Sequence, residues 1–215
     1  MNRDRYPKQC YIMLRRLDES GRNTWATQIK RLLFQYGFGY AWLADEIGDT
    51  CAFLTLFSQR LSDSSYQTLR DDIDSSAKAI TYKLFKSNLA PETYLSIDLP
   101  YLYKKTLSNF RCSGHNLMIE KGRHMNIDRQ LRFCHYCVKQ DSHIVEDEKH
   151  FLLICPLYEA LRQIHFIERW KSAYICEQLF VNIMTDSNRK SIQSVARFLK
   201  HAFDLRNEDL IETSI

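Results

Sequence analysis

Glycine and proline are scarce in this sequence, with six and four residues among 215. A loop-rich β-sandwich needs both residue types at its many turns, so the composition argues against one. Long apolar runs are also missing, and no stretch approaches the roughly 20 residues that cross a bilayer. Arg3, Arg5 and Lys8 lead into no apolar segment, so we expect no signal peptide and no membrane partner.

Catalytic motifs are absent as well. The sequence has no glycine-rich phosphate loop, no nucleophile elbow and no His-Glu-x-x-His. Asp71 and Asp72 superficially resemble the paired aspartates of a polymerase, but they lie in a helical polar stretch rather than in the tight strand–turn–strand that two-metal chemistry needs. We therefore expect a protein that is not an enzyme and has no small-molecule substrate.

What the sequence does contain is apolar residues at helical spacing. Apolar residues make up 45% of the chain and aromatic residues 13%, which excludes a disordered chain. Steps of three and four predict helices, and the aromatic residues at this spacing are expected to be mostly core. The predicted helices span 25–36, 38–47, a longer stretch from 49 or 50, 75–86, 101–110, 157–170, 172–183 and 190–205. We expect a mainly α fold, a helical bundle with an inserted Cys3His zinc-knuckle module.

The same reading divides the chain into four segments. Residues 1–22 are predicted to be a basic connecting segment, in which Pro7 and Gly21 act as breaks. Residues 23–111 form a helical region, and residues 112–170 form the zinc-knuckle module with its flanking basic loop. Residues 171–215 form the C-terminal helices.

The most specific pattern in the sequence is C-x2-C-x12-H-x4-C, formed by Cys134, Cys137, His150 and Cys155. Two cysteines separated by two residues can turn both thiolates toward one point, and the second pair arrives after a polar loop. Zn2+ takes four nitrogen or sulfur ligands in structural sites, and Cys3His is a standard set. The four side chains would fill the coordination sphere and leave no position for a reacting water, so the pattern predicts a structural Zn2+.

Other interpretations of these cysteines and histidines exist. A Cys-x-x-Cys pair also serves as a redox dithiol, but that pair normally lies in a βαβ context that is not seen here. His135 and His143 inside the motif, or the upstream pair Cys112 and His115, are alternative ligands. Pro156 favours Cys155, because a proline restricts the residue before it and holds the thiolate at a turn.

Cysteine number and charge distribution bear on location and partners. The cysteine count of seven is odd, which indicates a reducing, intracellular compartment, either nucleus or cytoplasm. The net charge is only +4, but residues 101–139 carry eight Lys/Arg and two Asp/Glu. A basic segment of this kind predicts an anionic partner, RNA or DNA. The candidate phosphate-contacting residues are Lys104, Lys105, Arg111, Lys121, Arg123, Arg129, Arg132 and Lys139. The loop 111–123 fits phosphate contact and a simple crossover over the bundle equally well.

Several motifs resemble one known family. They are Phe110-Arg111-Cys112 with His115, Ile119-Glu120-Lys121-Gly122-Arg123, Phe133-Cys134-x-x-Cys137, and Glu146-Asp147-Glu148-x-His150-Phe151-Leu152-Leu153-x-Cys155-Pro156-Leu157-Tyr158 with Arg162. Together they resemble the C-terminal region of non-LTR (LINE-type) retrotransposon reverse transcriptase polyproteins. The upstream Trp25-Ala26-x-x-Ile29 and Tyr36-Gly37-Phe38-Gly39-Tyr40-x-Trp42 are similar to the helical tails of such elements.

The resemblance implies a tail that follows the reverse-transcriptase core, without the family's endonuclease and polymerase domains. In that family the tail helps to hold template RNA or target DNA, and the four residues of the zinc knuckle correspond to Cys134, Cys137, His150 and Cys155. We expect a non-catalytic zinc-binding remnant that binds a nucleic-acid backbone. The alternative is a zinc-stapled structural or protein-interaction module with no nucleic-acid role.

Overall fold

The computed structural model describes residues 6–78, 80–86, 88 and 90–212. Within these ranges the chain is mainly helical and contains no β-strand; the pairing of Phe133 with Val145 is an isolated antiparallel bridge. The predicted mainly α fold class is therefore confirmed, and the Cys3His cluster is present in it.

The α-helices follow one another in chain order with short connections. They are α1 (Tyr6–Glu19), α2 (Trp25–Gln35), α3 (Gly39–Ala44), α4 (Thr50–Ser75), α5 (Thr93–Ser96), α6 (Tyr101–Arg111), α7 (Met118–His124), α8 (His135–Val138), α9 (Glu159–His165), α10 (Glu168–Lys171), α11 (Glu177–Thr185) and α12 (Arg189–Glu212). Short 3-10 turns span Tyr82–Leu84, Arg129–Leu131 and Pro156–Tyr158. One π-helical turn spans His150–Ile154.

The chain divides into two compact units, residues 1–69 and 70–215. The boundaries predicted at residues 22, 111 and 170 do not coincide with this division. Within the predicted connecting segment, residues 6–19 form α1. Pro7 does not break this helix because it stands in the first turn, where the missing N–H group has no helical partner to lose.

The first unit is held by contacts among its short helices. α2 packs against both α1 and α3. The guanidinium of Arg15 lies 4.8 Å from the ring centroid of Trp42 and donates to Asp45 at 2.6 Å. α2 ends as predicted at Gly37, whose φ of +83° is a left-handed conformation that favours glycine. Phe38 is buried, with the rings of Phe53 and Phe57 5.4 and 5.2 Å away.

The second unit contains one continuous apolar core. Its central element is α12, which packs most extensively against α6 and also against α9. The stripe predicted for the last helix is buried at Ile192, Val195, Ala196 and Leu199, and Phe203 packs beside it. The core extends without interruption to the Cys3His cluster, so the predicted module and the C-terminal helices share one interior.

Several predicted helices differ from those observed. α4 runs through the serine cluster at residues 62–65 and ends at Ser75, and the stretch predicted as a helix over 75–86 has a 3-10 turn at Tyr82–Leu84, with Ala79 outside the described residues. The helix predicted over 157–170 is divided into α9 and α10 at Phe166, whose extended backbone places its ring 5.0 Å from that of Phe198. In the helix predicted over 101–110, Leu102 does not contribute to the core and is 57% exposed.

A buried ion pair connects α12 to the segment that carries the metal motif. Arg206 donates from Nε and Nη2 to the two carboxylate oxygens of Glu146, at 2.7 and 2.8 Å. The same carboxylate accepts the backbone N–H of Met118 at 2.6 Å. Both side chains are almost wholly buried, so neither charge has water as an alternative partner.

We expect the substitution Arg206→Met to lower the free energy of unfolding by about 3–5 kcal/mol, because it leaves the Glu146 carboxylate buried without a cation. The matched control is Lys200→Met on the same helix, which removes a more exposed i,i+4 pair with Asp204. That change is expected to cost less than about 1 kcal/mol. Urea unfolding followed by circular dichroism measures both, and equal losses in the two variants would contradict the assignment.

Candidate metal centre

Four side chains converge on one point in the second unit. The ligand atoms of Cys134, Cys137, His150 and Cys155 all lie within 4.8 Å of one another. The Cys134 and Cys155 sulfurs are 3.8 Å apart, the Cys137 and Cys155 sulfurs 4.0 Å, and Cys137 Sγ lies 3.4 Å from His150 Nε2. A tetrahedral Zn2+ with bonds of about 2.3 Å to sulfur and 2.0–2.1 Å to nitrogen requires edges of about 3.8 and 3.5 Å. The four ligand atoms fit such an ion.

The first ligand pair is positioned by a tight turn. Cys134 is the residue before α8, and Cys137 lies within that short helix. Cys134 accepts the Val138 N–H at its carbonyl and donates its own N–H to the Ile144 carbonyl, at 3.0 and 2.8 Å. One helical turn between the two cysteines places both sulfurs on the same side, and the hydrogen bond to Ile144 holds the turn against the returning chain.

The second ligand pair depends on the π-helical turn. Residues five apart in an α-helix point roughly 140° away from each other, so an α-helix could not present His150 and Cys155 to one ion. In the π-turn the Cys155 N–H donates to the His150 carbonyl at 2.8 Å, an i to i+5 hydrogen bond that widens the turn. Pro156 then begins a 3-10 turn directly after Cys155, as expected from its position.

Neighbouring side chains hold the backbone of His150 and Cys155 in place. The Asp147 carboxylate accepts the backbone N–H of His150 at 2.7 Å, and Arg162 Nη2 donates to the Cys155 carbonyl at 2.6 Å. His150 Nδ1 is buried and has no acceptor among the described residues. The four ligand residues are 0–3% exposed, so the site is closed to bulk water on all sides.

The thiols are strongly coupled by their proximity. A hydrogen bond from the Cys155 thiol to the Cys134 sulfur lowers the pKa of Cys134 to about 4. The same hydrogen bond, together with burial, raises the pKa of Cys155 far above its usual range. Burial and the nearby Cys134 charge raise the pKa of Cys137 to about 11. Without a cation, therefore, the protein tolerates one thiolate here, whereas a bound divalent ion requires three.

The alternative ligands lie elsewhere. His115 Nε2 is 3.1 Å from the buried carboxylate of Glu148, and Cys112 is exposed. His135 Nδ1 lies 3.6 Å from Asp209, and the His143 ring stacks edge-on against Phe133. The structure thus groups the four ligands named from the spacing. Among the described residues, no other group of three or more Cys, His, Asp or Glu side chains has this arrangement.

Five of the eight candidate phosphate-contacting residues donate to partners within the protein: Lys104, Arg111, Arg123, Arg132 and Lys139. Arg111 is only 5% exposed and donates to Glu92 at 2.6 Å and to the Met184 carbonyl, so little of its side chain is accessible to a phosphate. Arg132 donates to the carbonyls of Ile127 and Ile119. Arg123 pairs with Glu120, and Lys139 pairs with Asp209.

The position of the Arg132 side chain explains why residue 122 is a glycine. A Cβ atom at Gly122 would lie 2.7 Å from Arg132 Cγ and 2.9 Å from Cδ, so the arginine stem crosses α7 only because position 122 has no side chain. Its two hydrogen bonds then tie α7 to the loop that leads into Cys134. The role of Arg132 here is structural, on the approach to the metal centre.

The remaining basic candidates are accessible. Lys105, Lys121 and Arg129 are exposed, and Lys105 Nζ lies 5.9 Å from the Tyr101 ring. Lys104 is half-buried and donates to the Leu95 carbonyl at 3.0 Å. Phosphate contact by Lys104, Lys105, Lys121 and Arg129 stays a prediction.

Glu146 and Glu148 belong to a motif noted in the sequence, but the sequence did not reveal that their charges are buried. Glu148 accepts from Thr81 at 2.8 Å, Ser113 at 3.2 Å and His115 at 3.1 Å, and Glu146 pairs with Arg206. Their partners are about 30 to 70 residues away in sequence. No local pattern marks such residues, because an acidic loop residue normally faces water.

We expect purified wild-type protein to contain one equivalent of zinc and both Cys137→Ser and His150→Ala to lose it, because each removes one of four ligands. The control variants Cys112→Ser and His143→Ala change the same residue types outside the cluster and are expected to retain the metal. Elemental analysis by mass spectrometry measures the stoichiometry. Zinc loss in the control variants, or its retention in both cluster variants, would refute this ligand set.

Metal affinity is expected to rise with pH around neutrality. At about pH 7 Cys134 is ionised, whereas the thiols of Cys137 and Cys155 are protonated because their pKa values are raised. Binding therefore displaces about two cysteine protons, and the apparent zinc affinity should increase roughly 100-fold per pH unit. Competition with a chromophoric chelator between about pH 6 and 8 measures this slope; a pH-independent affinity would exclude the described coupling.

Comparison of the chain with protein-family models, with curated proteins and with solved structures returned no match. Among the described residues, no helix combines the length and the apolar character that a membrane span requires.

Proposed function

We propose that this chain is a non-catalytic module whose second unit is organised by a structural Zn2+ bound to Cys134, Cys137, His150 and Cys155. The observation that supports the proposal is the buried convergence of three sulfurs and one imidazole nitrogen, all within 4.8 Å of one another. Soft thiolates combined with imidazole are the ligands that Zn2+ prefers, and the edge lengths fit its bond lengths.

The closed arrangement supports a structural role for this ion. A catalytic zinc site keeps one coordination position for water or substrate. Here the protein supplies four ligands, and the surrounding core leaves none of them exposed beyond 3%. A structural zinc in finger peptides contributes on the order of 10–16 kcal/mol, which equals the whole stability of an ordinary domain, about 5–15 kcal/mol.

We infer the origin of the chain from its motifs. The four ligands with the flanking Phe133, Phe151-Leu152-Leu153 and Pro156 resemble the zinc knuckle of LINE-type reverse transcriptase polyproteins. Phe151, Leu152 and Leu153 are buried beside the cluster, which is consistent with a knuckle embedded in a helical tail. On this proposal the chain corresponds to the region that follows a polymerase core.

A second candidate function is binding to the phosphate backbone of RNA or DNA. It is favoured by the exposure of Lys105, Lys121 and Arg129, which project from the basic segment while its other side chains have partners inside the protein. Lys121 lies in the last turn of α7, and Arg129 begins the 3-10 turn that leads to the metal motif. Such side chains contact phosphate without reading base sequence.

Removal of the metal tests the structural role. We expect EDTA to abolish the protection from hydrogen exchange of backbone amides in residues 134–155, because three thiolates lose the cation that holds them together. Amides of α2 in the first unit serve as the internal control and should keep their protection, and added Zn2+ should restore the module. Unchanged protection of residues 134–155 after complete metal removal would contradict a structural zinc.

Salt dependence tests the second candidate. Three accessible cations predict that log affinity for single-stranded RNA falls against log salt with a slope of about −2. The double substitution Lys121→Ala, Arg129→Ala should reduce this slope to about −1, whereas Lys190→Ala, an exposed lysine on α12, should leave it unchanged. Fluorescence anisotropy at several salt concentrations measures these slopes. Salt-independent binding, or no binding at low salt, would eliminate this candidate while leaving the zinc proposal intact.

A further inference from the structure

The second unit contains a cavity of about 270 Å³ that none of the four metal ligands lines. One side is apolar, and its residues come from α6, α11 and α12. They are Leu107, Ile183, Met184, Ile192 and Val195. Ligand pockets usually measure about 300–1,000 Å³, so the cavity suits a small molecule, and its apolar wall suits a hydrocarbon chain or ring.

The other side of the cavity is polar and centred on Arg111. The guanidinium of this residue lies 4.5 Å from the Phe85 ring centroid and 5.3 Å from that of Tyr94. Its Nη2 donates to Glu92 at 2.6 Å and its Nη1 donates to the Met184 carbonyl. Its Nε is buried and has no acceptor among the described residues. A buried donor without an acceptor is rare in native proteins, because leaving it unsatisfied is unfavourable.

The charges at this end favour an anion. Lys86 and Arg111 both pair with the Glu92 carboxylate, at 2.8 and 2.6 Å. This group of three therefore carries a net charge of +1. Asp186, which also lines the cavity, is neutralised by its ion pair with Arg169. A ligand carboxylate at this end of the cavity would balance the remaining positive charge.

We propose that this cavity binds a small apolar monocarboxylate. The carboxylate lies at the Arg111 end, and the hydrocarbon part lies against the side formed by α6, α11 and α12. An ammonium group is disfavoured by the net positive charge, and a neutral amide does not balance that charge. We propose binding and no reaction, because the two carboxylates that line the cavity, Glu92 and Asp186, are held in ion pairs with Arg111 and Arg169.

The experiment is isothermal titration calorimetry of the full-length, zinc-loaded chain with octanoate, octanamide and octylammonium. These probes share one hydrocarbon chain and differ only in the head group. We expect octanoate to bind at one site per chain, at least about tenfold more tightly than octanamide, and octylammonium not to bind. Absence of saturable octanoate binding, or equal affinities for octanoate and octanamide, would overturn the proposal.

Two variants locate the binding. Thr185→Trp introduces a large side chain at an exposed position that lines the cavity, and it should weaken octanoate binding at least about tenfold. The matched control is Thr68→Trp. Both threonines are exposed on helices and donate to the carbonyl four residues before, but Thr68 does not line the cavity.

The circular dichroism spectrum of both variants shows whether the fold is retained. Equal octanoate affinity in the Thr185→Trp variant and the wild type would place the ligand elsewhere and overturn the assignment. This variant does not depend on Arg111, whose replacement would leave the Glu92 carboxylate short of a partner and could unfold the unit. Loss of octanoate binding in the Thr68→Trp variant as well would also count against a site in this cavity.

Discussion

Three sulfur atoms held close together inside a protein cannot all carry negative charge unless a cation lies between them. In this chain the sulfurs of Cys134, Cys137 and Cys155 meet in a site that water does not reach. Their mutual influence favours one thiolate and opposes the other two. A divalent ion reverses this balance, because its attraction for each thiolate outweighs the repulsion among them. All three cysteines can therefore be thiolates only with a cation among them, whereas without one the site favours a single thiolate.

Hydrogen bonds and ion pairs connect the helical core to the segment that carries the four candidate metal ligands. α12 reaches the metal-bearing segment through the buried Arg206–Glu146 pair and through Asp209, which lies 2.9 Å from Lys139. Arg162 joins α9 to the Cys155 carbonyl, and Arg132 joins α7 to the strand-like approach to Cys134. Each of these arginines uses its planar group to hold two segments together, which a lysine would do less well. Formation of the metal centre and packing of the helices should consequently be cooperative.

Because arginines form these internal contacts, the basic segment exposes less positive charge than its sequence indicates. In sequence, residues 101–139 appear as one block of positive charge. In the folded chain Arg111 forms an ion pair with Glu92, and Arg132 donates hydrogen bonds to backbone carbonyls. Arg123 and Lys139 form ion pairs with neighbouring acidic side chains. The accessible positive charge is smaller than the sequence count and is concentrated at a few side chains. Charge counts along a sequence therefore overestimate an electrostatic surface wherever arginine also serves as a hydrogen-bond donor in the interior.

The sequence by itself determined the helical class, the boundaries of α2, α6 and most of α12, and the identity of the four candidate ligands. Periodicity specifies which face of a helix is apolar, and ligand chemistry restricts which Cys and His spacings suit one ion. Only the tertiary structure decided the rest. The π-turn at His150, the break at Phe166 and the burial of Arg111, Glu146 and Glu148 all depend on partners tens of residues away. Local propensity carries no information about those partners, because it is their packing that makes each of these conformations favourable.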